Sequence, residues 1–109
     1  MAITPEQLAD IHEKELTRRS TKAAYDAAVA ADEAAATALN TALTNYKAAV
    51  EGNANETTRT NLLNTYIAAA VDKNVKSLAR TNAAGPSGAA ETALTQAVDN
   101  VIVQETPVP

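Results

Sequence analysis

Apolar side chains recur along this chain in steps of three and four, the spacing of helix faces, over most of its length. From Lys22 to Val50 there is neither Gly nor Pro. One line through this stretch is Tyr25, Val29, Asp32, Ala36, Leu39, Leu43, Tyr46 and Val50, alternating four and three as in a coiled coil. Carried backward, the line would meet Glu15, Arg18 and Lys22, so a separate short stripe of Leu8, Ile11 and Leu16 serves the first turns. Thr4 is a good N-cap, Pro5 suits the first helical position, and Gln7 completes a capping box with Thr4. The first stop signal is Gly52 followed by Asn53. A first helix is predicted over about 5–51, roughly 70 Å long at 1.5 Å per residue. Its continuity through Ser20–Thr21 stays open.

Asn55 is a plausible cap for a second helix over about 56–81, with Leu62, Leu63, Tyr66, Ile67, Ala70, Val71, Val75 and Leu78 as its apolar face. A link this short makes the two helices antiparallel neighbours. Ala84-Gly85-Pro86-Ser87-Gly88 reads as a break. Beyond it a short third helix over about 88–101 carries Ala90, Leu94, Ala97, Val98 and Val101, and the proline-bearing tail 102–109 is predicted to be extended. The fold class is therefore all-α: one domain over 1–109, built as a long antiparallel helical hairpin with a third helix and an extended C-terminal tail.

Composition sharpens this picture. Alanine supplies 26 of the 109 residues, and Ala is the strongest helix former. Val, Ile and Leu together number 20, and Phe, Trp and Cys are absent. So few large apolar groups make a sparse interior, and partner surface is expected to supply what the chain's own core does not. Pairs of small residues four apart, such as Ala24–Ala28, Ala27–Ala31 and Ala31–Ala35, permit close helix approach. The net charge of −4 argues against a general binder of nucleic acid or anionic membrane. Apolar runs such as Ala27 to Ala31 are far short of the roughly 20 residues that span a bilayer. The start of the chain shows no secretory pattern, so a soluble, cytoplasmically made protein is expected.

Little chemistry is encoded. His12 is the sole histidine and is read as solvated, because a carboxylate-bridged di-metal bundle needs two Glu-x-x-His motifs. Asp32 lies on the apolar line, where a buried acid would set register; the preferred reading is a rotated seam in which it meets water or a lysine. Lys14, Arg18, Arg19 and Lys22 form a basic cluster, but Asp10–Lys14, Glu15–Arg19 and Lys22–Asp26 are four-apart ion pairs and no aromatic interleaves. Asn55-Glu56-Thr57 matches a glycosylation sequon by chance, and the three tyrosines sit at core spacing. No catalytic, cofactor-binding or metal-ligating residue is assigned, and no enzyme activity or small-molecule substrate is expected. Residues assigned to partner contact are Val101, Ile102, Val103, Pro107, Val108 and Pro109 in the tail, docking by strand addition or in a groove, and Ala27, Ala31 and Ala35 on the first helix.

The start Met1-Ala2-Ile3-Thr4-Pro5, the cysteine-free Ala/Thr/Asn composition and the terminal arm resemble small helical structural proteins of tailed bacteriophages. The resemblance implies a virion component, such as a minor capsid, decoration or head–tail protein, whose partners are itself or other structural proteins. The alternative is a small helical-hairpin adaptor or secreted hairpin that binds a partner protein. Secreted mycobacterial-type hairpins turn at Trp-x-Gly, whereas here the central turn is Glu51-Gly52-Asn53 and Gly85-Pro86 interrupts the second arm.

Overall fold

The computed structural model describes residues 3–106 and builds them into two helices, α1 over Pro5–Glu51 and α2 over Glu56–Glu105. There is no strand among the described residues. Thr4 starts α1 as its neighbours demand: its Oγ1 accepts the Gln7 N–H at 3.1 Å, and its own N–H donates to Gln7 Oε1 at 2.9 Å. The helix ends in a Schellman turn. Ala54 N–H donates to the Ala49 carbonyl at 2.9 Å, Asn53 N–H donates to that of Val50 at 3.2 Å, and Asn53 takes the left-handed conformation with φ 55°. Asparagine, not Gly52, supplies the positive φ, which its short polar side chain tolerates better than most. Asn55 then caps α2, its Oδ1 accepting the Thr58 N–H at 2.8 Å. α1 runs through Ser20–Thr21 without a break.

Two compact units divide these helices, Ala27–Thr81 and Met1–Asp26 with Asn82–Pro109. In the first, the end of α1 and the start of α2 form an antiparallel helical hairpin about the Gly52–Asn55 turn. Its inward positions on α1 are Ala28, Asp32, Ala35, Leu39, Ala42, Tyr46 and Ala49, facing Leu62, Tyr66, Ala69, Lys73, Lys76 and Arg80 of α2. These alternate in steps of four and three, the coiled-coil period. The seam is rotated from the predicted line: Ala28, Ala35, Ala42 and Ala49 take the places given to Val29, Ala36, Leu43 and Val50. Among the described residues the buried apolar side chains are Ala35, Ala42 and Ala90. Alanine methyls let two backbones draw close, and little else is enclosed.

In the second unit the start of α1 pairs with the end of α2. Inward positions are Gln7, Ile11, Lys14, Arg18, Thr21 and Tyr25 opposite Ala83, Ser87, Ala90, Leu94, Ala97, Val101 and Gln104. Gln7 Nε2 donates to Gln104 Oε1 at 2.7 Å. Here three sequence expectations are corrected. There is no break at 84–88, no separate third helix at 88–101, and residues 102–105 are helical instead of extended. Pro86 lies inside α2 on its exposed side. It cannot donate to the Asn82 carbonyl, and Asn82 is also exposed, so water takes over that acceptor. A proline also crowds the Cβ of the residue before it, and Gly85 has none. Pro107, Val108 and Pro109 lie outside the described residues.

Threonine, a modest helix former, is accommodated by bonding its hydroxyl back to the preceding turn. Thr17, Thr37, Thr65, Thr81 and Thr106 Oγ1 donate to the carbonyls of Glu13, Glu33, Asn61, Ser77 and Ile102. No helix among the described residues is long and apolar enough to cross a membrane.

Candidate functional site

Asp32 is the one buried charged residue among those described, with 7% of its surface exposed. A carboxylate out of water must be paired and hydrogen-bonded. α2 meets that demand with three side chains at one-turn spacing, Lys73, Ser77 and Arg80. Lys73 Nζ donates to Asp32 Oδ1 at 2.7 Å and to Ser77 Oγ at 2.6 Å. Ser77 Oγ donates to the same oxygen at 2.7 Å, and Arg80 Nη1 donates to Oδ2 at 3.3 Å. The Lys73 hydrogen bond, followed by those from Ser77 and Arg80, holds the Asp32 carboxyl down at about 2 against the opposing effect of burial. No buried side-chain polar atom among the described residues lacks a partner. Of the preferred sequence reading, in which a rotated seam lets Asp32 meet water or a lysine, the lysine holds, but the rotation leaves Asp32 on the seam and buried, as the other reading had it. Sequence reasoning missed Ser77 and Arg80, because only the antiparallel register shows which α2 turn lies opposite Asp32.

The cluster is closed on itself. A carboxylate kept this firmly ionised by two cations is a structural pin, and it faces neither a cleft nor a second carboxylate. Two shallow depressions exist elsewhere. One, lined by Gln7, Asp10, Ile11, Ala97, Asn100 and Val101, holds about 150 Å³; the other, at Tyr46, Glu56, Arg59, Thr60 and Leu63, holds about 290 Å³. The first falls well below the roughly 300–1,000 Å³ of small-molecule sites and the second lies at the lower end of that range. Among the described residues no group of three or more His, Cys, Asp or Glu side chains is placed to hold a metal ion.

Each cation of the basic cluster is paired with an acid, two of them with the same one. Lys14 pairs with Asp10, Arg18 and Arg19 both reach Glu15 at 2.8 and 3.0 Å, and Lys22 reaches Asp26 at 3.2 Å. The Arg18 hydrogen bond, reinforced by Arg19, lowers the Glu15 carboxyl to about 2. His12 is exposed. The asparagine of the sequon, Asn55, is occupied in capping α2.

The comparisons match nothing: no family model, curated protein or solved structure is similar to this chain.

What remains is surface. On α2 the residues predicted as one apolar face are split by the fold. Leu62 and Tyr66 turn inward, while Leu63, Ile67, Val71, Val75 and Leu78 are exposed, from 37% at Leu63 to 61% at Leu78. All five belong to the Ala27–Thr81 hairpin. Isolated exposed leucines need no explanation, but a contiguous stripe of aliphatics does. The residues assigned to partner contact from sequence fare differently from one another. Ala35 is buried in the hairpin seam, Ala31 is half-buried and Ala27 exposed, so the three do not share one outward face. Val101 packs inward at the end of α2, whereas Ile102 and Val103 are exposed. The stripe was legible as five aliphatics at helical spacing, but its direction was not.

Proposed function

We propose that the chain is a non-enzymatic structural protein of a larger assembly, packing through its helices against neighbouring subunits. The assembly is a tailed-bacteriophage virion in this reading, with the chain as a minor capsid, decoration or head–tail protein. The observation that carries the assembly reading is the inverted burial: alanines are the buried apolar side chains among the described residues, while Leu63, Ile67, Val71, Val75 and Leu78 of α2 lie outside. Covering the half or so of each side chain that is still exposed is worth roughly 1 kcal/mol apiece, a driving force that the hairpin leaves unused. The virion assignment is supported by the compositional resemblance alone. A hairpin adaptor for one partner protein is the competing reading, and the same stripe on a two-helix unit favours it.

The test is fractionation of the tagged full chain from the cells that naturally make it. The assembly reading expects sedimentation with particles far larger than the 11.3 kDa chain, and release of the chain by Ile67→Glu. Recovery with one protein of similar size supports the adaptor instead. A free 11.3 kDa species, or turnover of a substrate by purified material, overturns both.

A further inference from the structure

Building on the assembly reading, we propose that the stripe Leu63, Ile67, Val71, Val75 and Leu78 is covered by the same stripe of a second copy, two α2 helices crossing about a two-fold axis. Two observations point to this occupant. The first is geometric. Leu63, Ile67, Val71 and Val75 are successive residues of one i+4 row, and with Leu78 they fall within about 120° of the helix circumference. Rows of this kind interdigitate between two helices at a crossing angle of about −50°. A two-fold contact requires a surface that complements itself, and one ridge with its adjacent groove does so.

The second is charge. The chain carries −4, so copies repel through most of their surface. Within the stripe's sector the intervening residues Thr60, Asn64 and Asn74 are uncharged. The exposed charged neighbours are Arg59, one turn before Leu63 in the same row, and Asp72, about 60° beyond the row, and they carry opposite signs. The contact face itself therefore brings no like charges together.

The other exposed aliphatics of the described residues, such as Leu8, Leu16, Ile102 and Val103, form no comparable row.

Sedimentation equilibrium of the purified full chain, from low to high micromolar concentration, is the test. The expected mass is twice 11.3 kDa, and the double variant Ile67→Glu/Val71→Glu should weaken association by roughly 100-fold or more while its circular dichroism stays helical. The chain has no cysteine, so Val71→Cys introduces a single thiol. It should oxidise to a covalent dimer, whereas Leu16→Cys should not. A purified chain that stays at 11.3 kDa throughout overturns the proposal, as does a dimer that the double variant leaves intact. A purified monomer that still sediments with large particles from its native cells overturns the two-fold contact alone and leaves the assembly reading standing.

Discussion

Pro86→Ala separates a continuous α2 from a broken one by the sign of its effect. In the structure Pro86 sits inside α2, with helical residues on both sides and no donor for the Asn82 carbonyl. Proline in a helix interior is less favourable than alanine by about 3 kcal/mol. Part of that penalty is relieved by the missing Cβ of Gly85 and by the exposure of Asn82, so Pro86→Ala should stabilise by about 2–3 kcal/mol. In a helical chain of this size that raises Tm by roughly 10 °C or more. If residues 84–88 were instead a loop, proline would be restricting the unfolded chain at no cost to the native one. Its replacement would then destabilise by about 0.4–1 kcal/mol. The assay is thermal and urea unfolding followed at 222 nm, at one fixed protein concentration because self-association adds to apparent stability. Gly85→Ala and Gly88→Ala provide an independent check. A Cβ at either position meets nothing within 4 Å, and neither has a positive φ, so each should gain about 0.5–1 kcal/mol. A Tm that falls in Pro86→Ala, with helicity rising as a loop converts to helix, would refute the continuous helix.

Three further outcomes are expected. Asn53→Gly should be neutral or slightly stabilising, while Asn53→Val should cost about 1–2 kcal/mol in urea unfolding, because φ 55° is strained for a β-branched side chain. Asp32→Ala should lower Tm by leaving the Lys73 ammonium half-buried without its carboxylate, and adding Lys73→Met should recover part of the loss; a Lys73→Met shift in Tm that is the same with and without Asp32 would show that the pair is uncoupled. Acid should destabilise the fold in a defined window. The Asp32 and Glu15 carboxyls lie at about 2 in the folded chain, below their ordinary values, so their contribution is complete above about pH 5 and is lost as pH falls toward 2. Asp32→Asn should flatten the fall of Tm across that range.

Local features were legible because local interactions make them. The Thr4–Gln7 box, the stop at Gly52–Asn53 and the Asn55 cap each join residues within a few positions of one another, so sequence alone determined where α1 ends and α2 begins. The alanine content likewise determined an all-helical chain, since propensity acts residue by residue. The three ion pairs read at four-residue spacing, Asp10–Lys14, Glu15–Arg19 and Lys22–Asp26, are present for the same reason.

Which face of α2 turns inward was decided only by the tertiary structure. Hydrophobicity favours burying Leu63, Ile67, Val71, Val75 and Leu78, but a rotation that did so would carry Lys73, Ser77 and Arg80 away from Asp32. A buried carboxylate without cations costs several kcal/mol, enough to offset exposed aliphatics, and alanines opposite α2 accept close backbones in either case. The passage of α2 through Pro86 was likewise decided by packing. Ala83, Ser87 and Ala90 keep their places on the seam, and the proline's lost hydrogen bond falls on the wet side of the helix. Propensity at one residue yields when the turns on either side are held by contacts that no local pattern encodes.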